Sequence, residues 1–301
     1  MVLRTALGGR RRGGFRWQIM LLFAIGAAVY YFMNQKDIPY ICDNEFSSYG
    51  HDMCRQQLRT MKLGQEIELG KQSYLQILQD EHSRRNLVTN PNDYQLQAVR
   101  QIGDRIRQAA RDADPGFQWE FNLIRSDQAN AFALPGGYTA VYTGMIEVAE
   151  NDPDMLAVVM GHEVAHALAH HGAERMAQQN MQRIVGAGVS MGAGGMDMES
   201  QRAVMGVFGG LSQYGFALPF SRKHETEADY IGLILMARAC FDPRKAPKLW
   251  ENMNNMGGAK PPEFQSTHPS PETRMQNFND WMPMAVDIYN ENNCTPRITS
   301  Y

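Results

Sequence analysis

Apolar side chains recur every three to four residues over two long stretches of the first half of the chain, a period that predicts amphipathic helices. The first predicted helix covers about residues 55–82, with candidate buried positions at Leu58, Met61, Ile67, Tyr74, Leu75 and Leu78. The second carries its apolar face on Leu96, Val99, Ile102, Ile106 and Ala109. The turn sequence Asp114-Pro115-Gly116 follows and ends this helical region.

The apolar period changes to two after residue 116, which predicts strands. Apolar and polar residues alternate as in a half-buried strand, with the apolar positions at Phe117, Trp119, Phe121 and Leu123. Residues 131–134 and 138–142 flank the turn sequence Pro135-Gly136-Gly137 and predict a hairpin. We therefore expect a small sheet here, and an exposed edge strand of such a sheet can bind an extended peptide as an added strand.

Two further helices are predicted in the second half. Asp152 suits the N-cap and Pro153 the first position of a helix that the pattern extends to about Val185. Another helix begins near Ser221 and becomes apolar over residues 230–237. With several helices and one small sheet, the expected fold class is α+β, mainly α.

A long uncharged run lies near the N-terminus. The 19 residues from Trp17 to Gln35 carry no charge, and as a helix they span about 28 Å, close to the hydrocarbon thickness of a bilayer. Aromatic residues at both ends suit the membrane interfaces. We favour an uncleaved transmembrane anchor over a cleaved signal peptide, because the run is long for a signal peptide and no suitable cleavage site follows it.

Charge is unevenly distributed. The net charge is −3, but the first 16 residues contain five arginines and no acid, so the remainder carries −8. A mildly acidic body argues against nucleic acid as the main partner. The basic start predicts a cytoplasmic tail with the body exported, and it also suits a mitochondrial presequence.

Four cysteines follow the predicted anchor, at Cys42, Cys54, Cys240 and Cys294. An even number on the exported side is compatible with two disulfides, for which three pairings are possible. Pairing Cys42 with Cys54 closes the shortest loop and leaves Cys240 and Cys294 to tie the C-terminal tail to the body. Four separate buried thiols are the alternative.

The sequence His162-Glu163-Val164-Ala165-His166 lies inside the helix that follows Pro153. Helix positions four apart lie about 40° apart around the axis, so His162 and His166 present their imidazoles on one face, as two ligands of one Zn²⁺ must. Glu163, about 60° from His166, can reach a water at the metal without becoming a ligand. The arrangement is typical of metalloproteases; a satisfied polar pair on a helix is the alternative.

A catalytic zinc needs a third protein ligand. The helix that begins near Ser221 carries Glu225 and Asp229 four residues apart, on one face. We assign Glu225 as the third ligand, and Asp229 as the residue that holds the free ring nitrogen of a ligand histidine. Glu227 lies about 200° from Glu225 and points elsewhere. Acids that only stabilise the start of an exposed helix are the alternative.

Two features between these motifs each have two possible interpretations. His170 lies one helical turn beyond His166 and could approach the site, although a solvated or supporting histidine is the more usual outcome. Residues 186–215 contain nine glycines and four methionines. This segment could form an apolar lid over the cleft or a merely flexible connection.

Together these motifs resemble the M48 family of zinc metallopeptidases. His-Glu-x-x-His is followed some sixty residues later by Glu-x-x-Ala-Asp, and further stretches agree at residues 130–137, 221–222 and 267–274. The similarity covers about residues 60–285. A single anchor is more similar to the Oma-type and periplasmic quality-control branch than to the multi-pass CAAX-processing and HtpX branches.

The resemblance implies a zincin-like metallopeptidase domain at residues 55–285, with the small sheet beside the His-Glu-x-x-His helix. Before it we expect a basic tail at 1–16, the transmembrane anchor at 17–35 and a juxtamembrane segment at 36–54, and after it a C-terminal tail at 286–301. The resemblance also implies a role for His268, which stabilises the oxyanion or, alternatively, occupies the open metal position and holds the enzyme off. Arg274 is expected to brace this region through a carboxylate.

The expected function is that of a membrane-anchored zinc endopeptidase with one Zn²⁺ per chain and Glu163 as general base, acting on misfolded or unassembled envelope proteins. An anchored chaperone or assembly factor with a mainly structural zinc is the alternative, although a structural site would not need Glu163. The expected location is the bacterial inner membrane with the catalytic domain in the periplasm; the alternative is the mitochondrial inner membrane, facing the intermembrane space. Expected partners are protein substrates and the lipid bilayer, without nucleic acid.

Overall fold

The computed structural model describes residues 12–37, 55–193, 220–256, 263–269, 273–292 and 294. Two compact units divide the chain. The smaller unit comprises residues 1–36, 57–60 and 174–212, and the larger one residues 37–56, 61–173 and 213–301.

The smaller unit contains one long helix near the N-terminus, α1 (Arg12–Met33), and most of a two-stranded sheet formed by β1 (Gln35–Asp37) and β2 (Gln56–Leu58). The carbonyl of Asn34 accepts a hydrogen bond from the N–H of Arg59 at 2.9 Å. Among the residues described, no helix combines the length and the apolar character that a membrane crossing needs. The predicted anchor at residues 17–35 is therefore not confirmed.

The larger unit is mainly helical. Its helices are α2 (Leu63–Ser83), α3 (Tyr94–Ala109), α4 (Thr143–Val148), α5 (Pro153–Leu168), the first residues of α6 (His171–Ala193), α7 (Arg222–Arg238), α8 (Ala246–Asn255), α9 (Glu263–Thr267) and α10 (Arg274–Glu291). Short 3-10 helices lie at Arg111–Ala113 and Pro243–Lys245.

A three-stranded sheet completes the larger unit, with β3 (Glu120–Ile124), β4 (Ala131–Leu134) and β5 (Tyr138–Tyr142) in the order β3-β5-β4. The predicted hairpin is present, since β4 pairs antiparallel with β5 and places Ala133 opposite Thr139. β3 pairs parallel with β5. The hairpin turn uses Gly136 and Gly137 at φ of 95° and 91°, a conformation that favours glycine.

The two longest runs of buried residues belong to α5 and α7, which cross in the core. A Cβ at Gly161 would lie 2.9 Å from the carbonyl oxygen of Gly232, and a Cβ at Gly232 would lie 2.8 Å from the backbone nitrogen of His162. Only residues without a side chain allow the two backbones to approach this closely. The crossing therefore holds the His-Glu-x-x-His sequence directly against α7.

Two predicted element starts are wrong. The first helix begins at Leu63 and not near residue 55, because residues 56–58 pair as a strand. The side chain of Gln65 accepts from the N–H of Lys62 at 3.1 Å and so helps to cap the helix. The strand expected from Phe117 begins only at Glu120. Asp114 accepts hydrogen bonds from the N–H of Phe117 and the indole of Trp119, and thereby holds both in a loop.

The prediction of one continuous helix from Pro153 to about Val185 is also wrong, because two helices cover this region. α5 ends at Leu168, and His170 adopts a left-handed conformation with φ of 53°. The chain therefore turns and starts again as α6 at His171.

One of the possible disulfides is present. Cys240, just after α7, is bonded to Cys294, just beyond α10. Cys42, Cys54 and most of the segment 186–215 lie outside the described residues. The predicted domain boundaries stay predictions, and the one at residue 285 falls inside α10.

Candidate metal centre

The two helices that carry the predicted ligands both start at defined caps. Asp152 caps α5 by accepting from N–H groups of its first turn, and Pro153 is its first residue, as predicted. Ser221 caps α7 by accepting from the N–H of His224 at 3.2 Å. Both helices therefore begin at the residues that the sequence predicts.

Four buried side chains converge beside the crossing of α5 and α7. They are His162 and His166 of α5, Glu225 of α7 and His268, which directly follows α9, and their ligand atoms all lie within 4.8 Å of one another. The Nε2 atoms of His162 and His166 are 3.1 Å apart, and each lies 3.4 Å from an oxygen of Glu225. The structure thus brings the three predicted ligands together with His268.

The donor set fits a zinc ion. Two imidazoles and a carboxylate form a common set of catalytic zinc ligands, with a fourth position left open. Within the described part of the chain, Oε1 of Glu225 and Nε2 of His268 are buried without a hydrogen-bond partner. Buried polar atoms without partners are costly, and a cation bound among them would satisfy both.

Asp229 and Arg274 contact the predicted ligands. Asp229 accepts from Nδ1 of His162 at 2.9 Å, which directs Nε2 of His162 to the centre. Arg274 donates through Nε to Asp229, and through Nη2 to Glu225 at 2.9 Å. Its guanidinium also lies 3.7 Å from the centroid of the Trp250 ring. Asp229 and Arg274 therefore lie where the sequence predicts supporting residues.

Glu163 faces both the sheet and the centre. Its Oε2 accepts from the N–H of Ala133 in β4 at 3.0 Å, and its Oε1 lies 3.4 Å from Nε2 of His268. Burial raises the pKa of Glu163 to about 8, against the opposing effect of His162. A carboxyl group with one oxygen anchored and the other directed at the centre can exchange protons there.

The charges of the ligand cluster are set by burial and by the hydrogen bonds among its members. Burial lowers the pKa of His162, but its hydrogen bonds to Asp229 and Glu225 outweigh this effect and raise the pKa to about 9. Burial raises the pKa of Glu225, but the effects of His268 and His162 outweigh it and lower the pKa to about 2. Burial lowers the pKa of His268 well below its ordinary value. Near neutral pH, the cluster therefore holds an ionised Glu225, a neutral His268 and a protonated His162, and His162 must release a proton when a cation binds.

Sequence reasoning missed the residues that contact the second histidine. Nδ1 of His171 lies 3.0 Å from Nδ1 of His166, and Nε2 of His171 lies 3.0 Å from Oε2 of Glu227. Glu227 does point away from Glu225, as predicted, but it also pairs with Arg55. The signal was a second histidine pair directly after the motif. The sequence predicts a continuous helix here and gives no sign of the left-handed turn at His170, so the contact of His171 with His166 was not predicted.

His170 itself does not join the four-residue cluster. Its Nδ1 lies 2.9 Å from Oε1 of Glu66 in α2, and its ring contacts Phe117 edge to face. The two residues form a separate buried pair.

Comparisons with known proteins agree with this geometry. The model of peptidase family M48 matches residues 94–282. The mitochondrial metalloendopeptidase OMA1 of Schizosaccharomyces pombe is 34% identical over 273 residues, or 90% of this chain and 73% of that protein. Its counterpart in Saccharomyces cerevisiae is 36% identical over 189 residues, or 60% and 52%. The beta-barrel assembly-enhancing protease of Escherichia coli is 29% identical over 236 residues, or 75% and 46%.

The chain thus spans about half the length of two of these relatives and more of the third. The family match covers more than half of the chain and includes all four residues of the cluster. The chain therefore belongs to peptidase family M48, matches its Oma-type branch, and is a metalloendopeptidase.

Proposed function

We propose that this protein is a membrane-anchored, zinc-dependent endopeptidase that hydrolyses misfolded or unassembled envelope proteins. The observation that carries the proposal is the convergence of three ligand side chains on one buried point beside the carboxyl group of Glu163. The name of the relative from Escherichia coli, a beta-barrel assembly-enhancing protease, supports a role in envelope quality control.

His162 and His166 would hold one Zn²⁺ through Nε2, together with the carboxylate of Glu225. Bound zinc would supply Lewis acidity, which polarises a peptide carbonyl and makes water more acidic. Asp229 accepts from Nδ1 of His162, so that Nε2 is the ring nitrogen that releases its proton and binds the ion. Arg274 holds the carboxylates of Asp229 and Glu225 in fixed positions.

Glu163 acts as the general base. Its Oε1 takes a proton from the attacking water and later gives it to the leaving amine, while the N–H of Ala133 holds Oε2. A carboxyl group serves both steps best when its pKa lies near the operating pH. Burial raises the pKa of Glu163 towards that range.

His268 acts at the fourth position of the centre. In the resting protein its Nε2 faces the three ligands and closes the position that a substrate carbonyl must enter. The alternative role is that the ring, with a proton on Nε2, donates to the oxyanion. The stacking of the His268 ring on Phe264, with centroids 4.3 Å apart, limits where the ring can move.

The edge strand β4 holds the substrate. It pairs with β5 on one side, and its Ala133 contacts Glu163. An extended peptide added along β4 would have its scissile bond near Glu163, with backbone hydrogen bonds supplying affinity. Such binding suits unfolded chains, because it requires extended backbone and little particular sequence.

The N-terminal helix and the disulfide support the proposed location. Large apolar side chains of α1 are exposed, including Leu22, Phe32 and Met33, and exposed apolar surface of this kind marks an interaction with lipid or protein. The disulfide between Cys240 and Cys294 is typical of an oxidising compartment. We therefore propose an anchored enzyme whose body faces the bacterial periplasm, with the mitochondrial intermembrane space as the alternative.

Zinc analysis and a protease assay on the purified full chain test the proposal. We expect about one Zn²⁺ per chain and cleavage of casein, an unfolded substrate, that a zinc chelator abolishes and added zinc restores. A chain that binds zinc and suppresses aggregation of unfolded proteins without cleaving them would instead support the chaperone alternative. A chain that binds no zinc would contradict the proposal.

A further inference from the structure

We propose that His171 and Glu227 are positioning residues that fix the ring of His166 for the metal. The chain of contacts begins at Arg55, passes through Glu227 and His171, and ends at the ligand ring. This inference rests on the proposed zinc site, because it assigns a support to one of the ligands of that site.

Each contact in this series, from Arg55 to His166, lies within hydrogen-bond distance. Nη2 of Arg55 lies 2.8 Å from Oε2 of Glu227, and a second contact joins Nε of Arg55 to Oε1. Nε2 of His171 lies 3.0 Å from Oε2 of Glu227. Nδ1 of His171 lies 3.0 Å from Nδ1 of His166. The contacts thus form an unbroken path from a guanidinium to the ligand.

The chemistry of the groups fixes the direction of the hydrogen bonds. A carboxylate paired with arginine only accepts, so Nε2 of His171 carries a proton and donates to Glu227. In a neutral imidazole the other nitrogen carries no proton, so Nδ1 of His171 can only accept. Nδ1 of His166 must therefore carry a proton and donate a hydrogen bond to Nδ1 of His171. Nε2 of His166 is left unprotonated and faces the centre, as a zinc ligand requires.

Stacked rings hold this arrangement from the sides. Phe220 stacks on His166 with centroids 4.0 Å apart, and His224 stacks on His171 with centroids 4.6 Å apart. His171 is fully buried and Glu227 is 2% exposed. Neither ring can therefore rotate without losing both a stacked neighbour and a buried hydrogen bond.

The experiment measures zinc affinity of the purified full chain by chelator competition. His171→Phe keeps a buried planar ring and removes both hydrogen bonds, while Glu227→Gln keeps the shape and removes the charge. We expect zinc affinity to fall 10- to 100-fold in His171→Phe and about 10-fold in Glu227→Gln, the range typical of such supporting residues. His171→Asn retains an acceptor near Nδ1 of His166 and should recover part of the loss.

The matched control uses the other buried histidine–carboxylate pair. Glu66→Gln removes the charge of an equally buried carboxylate that contacts His170, which is not part of the ligand cluster. We expect its zinc affinity to equal that of the wild type. Cobalt substitution adds a spectroscopic readout, because the visible absorption of bound Co²⁺ should shift in His171→Phe and not in Glu66→Gln.

The outcomes separate the inference from the proposed function. A wild-type chain without zinc would contradict the proposed site and the positioning role together. If the wild type binds zinc and both variants match it, or lose no more affinity than Glu66→Gln, only the positioning role is overturned. If both variants fail to fold, His171 and Glu227 are structural, which also overturns the proposal.

Discussion

The two histidines of α5 are supported in different ways. His162 contacts a carboxylate directly, since Asp229 of α7 accepts from its Nδ1. His166 reaches its carboxylate, Glu227, only through the ring of His171. Both carboxylates lie on α7 and each is paired with an arginine. The same helix therefore supports both ligands, once through one hydrogen bond and once through two.

The difference between these supports has an energetic consequence. In the direct support, one substitution removes the only charged partner of the Nδ1 of His162 that the structure describes. In the indirect support, a substitution at Glu227 leaves the ring of His171 in place, and this ring keeps its hydrogen bond with His166. The direct support should therefore be the more sensitive of the two, and the following predictions test this from the largest effect to the smallest.

Glu225→Ala removes the ligand that both histidines face. Each Nε2 lies 3.4 Å from an oxygen of Glu225, so neither support can compensate for its loss. We expect the purified variant to lose most of its zinc, measured as metal per chain by atomic emission. Glu251→Ala, which removes an exposed carboxylate, should keep its zinc. Retention of zinc by Glu225→Ala would show that another residue is the third ligand.

Glu163→Gln leaves both supports intact and should separate chemistry from metal binding. Gln keeps the shape of the side chain and loses its basicity, and general-base assistance is typically worth about 10²–10⁴ in rate. We expect turnover of casein to fall by that factor while zinc content and thermal stability stay at wild-type values. Cleavage at the wild-type rate would reject Glu163 as the base and favour the chaperone alternative.

The direct support could be predicted from the sequence, and the indirect one could not. Glu225 and Asp229 are four apart on a helix, so their shared face follows from helical geometry alone. Asp152, Pro153 and Ser221 likewise mark helix starts that the structure confirms. These inferences use only local rules, which act within a single element.

His171 could not be predicted because its position depends on a break in a helix. The apolar pattern continues through residue 170, yet the left-handed His170 ends α5 and turns His171 back towards His166. Glu227 was predicted to point away from Glu225, but its partners, Arg55 and His171, lie on segments that are distant in sequence. Contacts between distant segments depend on the tertiary fold and not on spacing along one helix.

Asp229→Asn and Glu227→Gln make the same chemical change in the two supports. Each replaces a buried carboxylate by an amide of nearly equal size. We expect Asp229→Asn to lower zinc affinity by up to about 100-fold, and Glu227→Gln by about 10-fold. Chelator competition on both variants measures the difference. Equal losses of zinc affinity would show that the ring of His171 transmits the whole effect of the Glu227 substitution to His166. The direct support would then be no more sensitive than the indirect one.

Gly232→Ala tests the helix crossing on which both supports depend. An added methyl group would lie 2.8 Å from the backbone nitrogen of His162, which cannot move like the end of a flexible side chain. Overpacking of this kind typically costs about 1–3 kcal/mol. We expect that loss in the free energy of unfolding, measured by denaturant titration, with a smaller loss of zinc affinity than in Asp229→Asn, because the hydrogen bond between His162 and Asp229 is kept.

Gly64→Ala is the matched control for this last change. Gly64 is also helical, but a Cβ there would meet nothing within 4 Å. Replacing glycine by alanine in an unstrained helix should stabilise the protein by about 0.4–1 kcal/mol, because the unfolded chain loses freedom. The two substitutions should therefore change stability in opposite directions. If Gly232→Ala were as stable as Gly64→Ala, α5 and α7 would not need their close approach, and the crossing would not be what holds the ligands together.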